Sequence, residues 1–294
     1  MSIGTQDREQ AVQTAIREIS HIATLPEVTL KIVELVEDPS STAQDLHNVI
    51  ANDPALSSRI LKVVNSSFYG LPGQIGSINR AIVMLGLNAV KNIAIAASLA
   101  KLFRGGDLSH GFSARAVWEH AVACGAITKM IADTAKVGFS DEAFLGGLMH
   151  NIGLMVEMQF DRNKLIEVVQ TLGVDGEGVP GNDMREVEAK FFGADHQDFG
   201  KGLCEKWKFP NNFSLVTGYH HNPMEAPADG RRLPAMVYVA DRLVGSIDGQ
   251  FRLDLPSLDI DPAVLEVLGL TETGLQSIRE RVDEEITAAA GLLG

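Results

Sequence analysis

Residues 144–156 read FLGGLMHNIGLMV, and the reading of this stretch decides the fold. Phe144, Leu148, Ile152 and Met155 recur at helical spacing, which predicts an apolar helix with one face in a core. His150 and Asn151 sit side by side on it. A buried helix rarely carries two adjacent polar residues unless hydrogen-bond partners or a ligand satisfy them. The pair is almost a metal site, with a neutral amide where a carboxylate would be needed.

Helical punctuation is dense on both sides. Upstream, Val12, Ile16 and Ile19 mark a short amphipathic helix behind a soft leader. Leu25, Val28, Ile32 and Leu35 form a stripe that stops at Asp38-Pro39, because a residue before proline is pushed out of the α region. Ser41-Thr-Ala-Gln44 has the form of a capping box. Asp53-Pro54 supplies an N-cap and a proline at the first helical position. Ser77 caps a helix ended by Gly86, and Asn88–Phe103 makes a further one.

Gly105-Gly106-Asp107 is the best internal boundary. Beyond it, helices are expected over Ala114–Asp133, over the Phe144 stretch capped by Ser140, and over Arg162–Leu172. Four glycines and a proline make residues 173–182 a loop. Helices resume over Asp183–Phe192, Asp195–Lys208, Pro210–His221, Leu233–Ser246, Pro262–Leu268 and Thr271–Ala290. Phe251–Leu255 is the sole strand candidate. The fold class is all-α, a multi-helix bundle, with no fixed-period repeat.

The bulk numbers exclude several function classes. Across 294 residues, 45% are hydrophobic and 21% charged, which calls for a sizeable core and argues against disorder. A net charge of −13 suits neither a nucleic-acid backbone nor an anionic membrane surface. Cys124 and Cys204 lie in apolar segments without a shared short motif, as reduced thiols of an intracellular protein do. The polar N-terminus lacks a signal-peptide core, and the apolar run Ile93–Leu102 is short for a membrane span. A cytoplasmic location is expected.

The histidines carry the chemistry. His21, His47 and His110 fall in polar or connecting positions and read as surface. His120, His150, His196 and the pair His220-His221 fall on helix patterns in the second half, and Asp241 adds a carboxylate to an otherwise apolar helix. Imidazole and carboxylate groups drawn from several helices are how bundles assemble divalent metal sites. Gly146-Gly147 reads as a close helix–helix approach, and Trp118 and Trp207 as core anchors. For Asn65-Ser66-Ser67, a packing role and a partner-docking role stand level.

These residues also carry a resemblance. The run from Leu25 to Ile95 resembles the start of an HDOD domain, a bacterial signalling module related to the HD and HD-GYP phosphohydrolases. Asp53-Pro54-Ala55-Leu56, Val64-Asn65-Ser66, Ser77–Ile82 and Leu85-Gly86 follow that family's order and spacing. Ala143–Gly153, the histidine of Gly193–Leu203, Trp207–Pro210 and His220-His221 agree with its second half. The resemblance covers about residues 20–225 and divides the chain into a leader helix (1–20), an N-terminal helical half of five helices (21–107), an HD-like half (108–225) and a helical extension carrying Asp241 (226–294).

In catalytic HD proteins a histidine, a His-Asp doublet and a distant aspartate hold a metal that activates water against a phosphoester. The resemblance places His120, His150 and Asp241 at three of those positions. His196, His220 and His221 are similar in order to the further histidines of binuclear HD-GYP sites. The doublet's aspartate is Asn151 here, the lysine that follows is Leu154, and the GYP segment is missing. Asn151 offers one neutral oxygen, so charge neutralisation and hard-cation affinity fall. Two expectations follow. The first is a non-catalytic regulatory module that binds a signalling partner protein or a nucleotide-like ligand, with a retained divalent metal (Fe, Mn or Zn) and an oligomer open to it. The second is a metal-dependent phosphohydrolase.

Overall fold

The computed structural model describes residues 4–19, 25–103, 107–109, 112–176, 178–290 and 292. The N-terminal part holds α1 (Thr5–Glu18), α2 (Glu27–Glu37), α3 (Ala43–Ala51), α4 (Pro54–Val64), α5 (Ile78–Leu85) and α6 (Leu87–Leu99). A small antiparallel hairpin, β1 (Asp107–Ser109) and β2 (Phe112–Ser113), leads into α7 (Ala114–Thr134), α8 (Ser140–Met149), α9 (Ile152–Phe160) and α10 (Arg162–Thr171). Then come α11 (Met184–Phe192), α12 (His196–Lys206), α13 (Asn211–Tyr219), α14 (Arg232–Gly245), α15 (Pro262–Leu268), α16 (Glu272–Arg279) and α17 (Val282–Ala289). The fold is all-α, and among the described residues no helix is long and apolar enough to cross a membrane.

α6 is the spine between the two halves. Every residue from Ala89 to Leu99 is buried, as expected of a helix that is apolar all round. One side packs on α2, α4 and α5, the other on α8. Its one lysine, Lys91, is buried but satisfied, with Nζ donating to the Leu35 carbonyl and to Ser41 Oγ. The Asn65 turn has a packing role. Asn65 Nδ2 donates to the Leu61 and Ile75 carbonyls, and Oδ1 accepts from the Ile75 amide, which clamps the following loop to the end of α4. Phe68, inside that loop, meets Phe144 of the second half at 5.5 Å between ring centroids.

Several expected elements differ. The 144–156 stretch is two helices, broken at His150-Asn151, where His150 Nδ1 bonds the Gly147 carbonyl three residues back and Asn151 Nδ2 reaches Asp254. The capping box lies one residue further on, between Thr42 and Asp45, and Ser41 serves Lys91 instead. Ser140 is the first residue of α8 and turns its hydroxyl to Asp133. The expected 271–290 helix is α16 and α17, parted near Arg281. Phe251–Leu255 is no strand: it has no partner strand among the described residues, and the Leu255 amide closes a turn on the Arg252 carbonyl. The leader helix is α1, and Arg8 pairs with Asp195 and Asp198 at the start of α12. His47 is half-buried, while His21, His110 and Gly105-Gly106 lie outside the described residues.

In the second half, glycines set how closely the helices approach. A Cβ on Gly147 would stand 2.6 Å from the Cys124 carbonyl oxygen on α7, while one on Gly146 would meet Leu233 at an ordinary 3.4 Å. At Gly153 a Cβ would lie 1.8 Å from the His196 carbonyl, so α9 and α12 touch there backbone to backbone. Overpacking of this kind costs about 3 kcal/mol or more when backbone must yield. Gly153→Ala is therefore expected to lower stability by about that amount in chemical denaturation. Gly176→Ala, with open space around it and no positive φ, should change stability by less than about 1 kcal/mol.

Candidate metal centre

Six segments deliver polar side chains to one buried place. α7 contributes His120 and Cys124, one helical turn apart and on one face. The α8–α9 break contributes His150 and Asn151, the N-terminus of α12 contributes His196, and the end of α13 contributes His220 and His221. Asp241 comes from α14, and Asp254 from the irregular segment after it.

The groups form two adjoining clusters. His120, Cys124, His150 and Asp241 make one; His196, His220, His221 and Asp254 make the other. Within each, the potential ligand atoms lie within 4.8 Å of one another. The rings of His150 and His220 join the clusters at 5.1 Å between centroids, and Asn151 Nδ2 crosses the seam to donate to Asp254 Oδ2 at 2.8 Å.

Each ring is oriented by what its other atoms touch. His150 Nδ1 donates to the Gly147 carbonyl at 2.6 Å, which leaves the Nε2 lone pair facing inward. His220 Nδ1 faces the Val216 and Thr217 carbonyls at 3.2 Å each, with the same result. His120 Nε2 lies 3.0 Å from Asp241 Oδ1. His196 Nδ1 is held by Glu188 Oε2 at 2.7 Å, and its Nε2 lies 3.0 Å from His221 Nε2. A partner on one ring nitrogen that fixes the tautomer of the other is the usual support of a metal-bound imidazole.

Whether these residues suit a metal can be judged from their unmet hydrogen bonds. His150 Nε2, His220 Nε2, Asp241 Oδ2, Asn151 Oδ1 and Asp254 Oδ1 are buried and have no hydrogen-bond partner among the described residues. All five are acceptors converging on the same interior, which is what a cation requires. Imidazole nitrogen with carboxylate oxygen suits Zn²⁺, Fe²⁺ or Mn²⁺. Burial, then Asp241 and Asp254, push the Cys124 thiol well above its ordinary range, so nitrogen and oxygen atoms form the main donor set.

All seven residues singled out in the sequence meet here: His120, His150, Asn151, His196, His220, His221 and Asp241. Cys124, Asp254, Glu188 and Glu157 were missed. Cys124 stands four residues after His120, a spacing that places both on one helix face. Asp254 is a lone charge between Leu253 and Leu255 in an otherwise apolar step. Glu157 lies fully buried against Glu188, which burial first and that neighbour second push well above the carboxylate range. Its surroundings thus favour the neutral carboxyl, beneath the one that anchors His196.

Comparison with known proteins supplies the frame. The chain matches the HDOD domain over residues 22–223. A Treponema pallidum protein of uncharacterised function is 24% identical over 255 residues, which is 85% of this chain and 47% of that protein, so the chain spans about half the length of that relative. Among solved structures, a Marinobacter aquaeolei protein provisionally named for signal transduction superposes with a TM-score of 0.76 at 22% identity, covering 99% of this chain and 67% of that one. A Shewanella amazonensis protein provisionally named a phosphohydrolase gives 0.74 at 20% identity, covering 97% and 98%. At these identities the likeness is one of fold.

Protons compete for the same atoms. Burial lowers His150 to about 4, only partly opposed by Asp241. Burial also depresses His220 and His221 well below the ordinary imidazole range. For His196 burial pulls downward too, but Glu188 outweighs it and lifts the group to about 9. Burial and then Asp241 raise Asp254 to about 6. For Asp241 burial would raise the carboxyl, but the His120 hydrogen bond and nearby imidazoles hold it well below the usual range. At pH 7 the proton that metal must displace is therefore the one on His196. Between about pH 6.5 and 9 affinity should rise roughly tenfold per pH unit. Below about 6, as Asp254 also takes a proton, it should fall more steeply. Calorimetric titration with Zn²⁺ or Mn²⁺ in buffers of different ionisation enthalpy should count about one proton released at pH 7.5.

Proposed function

The chain belongs to the HDOD domain family, and from that premise we propose a regulatory module that holds a divalent metal in a closed centre and acts by contact with a partner protein, without phosphoester turnover. One observation carries the reading: His120, His150, Asn151, His196, His220, Asp241 and Asp254 are all 0% exposed. A catalytic metal site keeps a position open for water and substrate, whereas a structural site is closed. Here the walls are helices at backbone contact, and Phe251 packs over His120 at 5.7 Å between ring centroids.

Asn151 works in the same direction. Hydrolysis through a metal depends on charge that lowers the pKa of a bound water and neutralises the phosphoester. That positive charge is the ion's, and a doublet with a neutral amide in place of a carboxylate offers the ion one anionic ligand fewer and holds it less firmly. His120, His150 and Asp241 in one cluster, and His196, His220 and His221 in the other, would hold metal, which when bound would supply positive charge to the buried carboxylates and a cross-link between segments distant in sequence. That cross-link stiffens the body on which a partner-binding surface is carried. The Marinobacter neighbour, provisionally named for signal transduction, is in keeping with this role.

Purified protein is expected to carry Fe, Mn or Zn by elemental analysis, and its removal by a chelator should lower the melting temperature. At metal about 100-fold above Kd, linkage gives about 2.7 kcal/mol, which for a chain of this size is about 4 °C. Incubation with Mn²⁺ or Fe²⁺ and with bis(p-nitrophenyl) phosphate or cyclic dinucleotides should give no turnover. Turnover that His150→Ala abolishes would establish a phosphohydrolase instead.

A further inference from the structure

The carboxylate that the 150–151 doublet lacks has a counterpart elsewhere in the chain. Asp254 is fully buried, Oδ2 accepts one hydrogen bond from Asn151, and Oδ1 has no partner. Its one ion-pair neighbour among the described residues is His221, whose Nε2 is 3.7 Å away. A buried carboxylate with so little compensation is costly. The segment holding it is nevertheless firmly seated: Phe251, Leu253 and Leu255 are buried around it, and Phe251 meets Phe112 edge-on at 5.6 Å. The fold thus places this charge among His196, His220 and His221, where a cation would satisfy it.

We infer that Asp254 is a metal ligand of the second cluster, the displaced anionic partner of Asn151, and that metal binding fastens the 249–255 segment over the site. The inference rests on the closed metal centre proposed above. Asn151 follows from it directly. With Asp254 at 2.8 Å, an aspartate at 151 would set two carboxylates in contact, and like charges that close cannot both ionise readily. An amide removes the repulsion and donates a hydrogen bond that orients Asp254. One acid and one amide satisfy the pair in either order.

The test is a charge swap. Wild type, Asp254→Asn and the double variant Asn151→Asp/Asp254→Asn would be purified and their Zn²⁺ and Mn²⁺ affinities measured by chelator competition. Asp254→Asn should bind about 10–100-fold more weakly. The double variant should return to within a few-fold of wild type, because acid and amide have only exchanged places. In wild type, metal should slow backbone hydrogen exchange at Leu253–Leu255, and chelation should reverse the effect. Wild type that binds no metal overturns the closed-centre reading itself. Wild type that binds while Asp254→Asn binds equally well overturns only the role of Asp254. A folded double variant that stays weak, or exchange at 253–255 indifferent to metal, also overturns the inference, and the exchange measurement needs no variant to fold.

Discussion

α8 lies so close to α7 that a Cβ on Gly147 would stand 2.6 Å from both the Cys124 carbonyl oxygen and Thr128 Oγ1. A Cβ on Gly125 would likewise come within 2.8 Å of the Phe144 carbonyl, so the two helices are joined through two glycines facing opposite ways. The candidate site inherits its dimensions from this contact. Cys124 and His120 project from the α7 face at the seam. Gly147 also offers its own carbonyl to His150 Nδ1, which fixes the tautomer and leaves Nε2 free to accept. Helix packing and ligand orientation therefore rest on the same residue, and a shift of α8 along α7 would disturb both.

The interior that results is unusually polar for its burial. An unsatisfied buried polar group costs about 1–3 kcal/mol, and domain stability as a whole is about 5–15 kcal/mol. Five inward acceptors without partners would absorb a large part of such a margin. A cation in each cluster would answer that cluster's acceptors, which a set of pairwise hydrogen bonds between acceptors cannot do. The layer beneath points the same way. Glu188 accepts from both the backbone amide and Nδ1 of His196, and Glu157, pushed toward its neutral form by burial and by Glu188, lies against it, so His196 is held where its Nε2 meets His221.

Much of this was legible in the sequence because helix periodicity and capping act locally. The stripe of α2, the Asp53-Pro54 start of α4, the Ser77 cap and Gly86 end of α5 all stand where spacing and cap chemistry put them. The histidines were legible as interruptions of apolar helices. The break between α8 and α9 was not, because apolar spacing runs straight through it. At the break Asn151 bonds Asp254, 103 positions away, while His150 Nδ1 is taken by the Gly147 carbonyl three residues back. Asp254 was hidden for a related reason. It belongs to no helix or strand, and its significance is that a segment between α14 and α15 turns back over α7, a tertiary fact with no local pattern.

The division of labour between parts of the chain bears on what the site is for. Every imidazole of the two clusters falls within residues 22–223, the span matched to the HDOD domain, while both carboxylates fall beyond it, at Asp241 and Asp254. Imidazoles alone would leave a divalent ion with its full charge in a sealed, low-dielectric interior, at severe cost. Asp241 in one cluster and Asp254 in the other offset that charge within the protein. The region after residue 225 is thus what makes a buried cation electrostatically tolerable, and α14 packs directly against α7 and α8. A centre offset in this way draws its charge balance from residues far apart in the chain. It has a strong hold on the segments that neutralise it, which is a means of fixing shape.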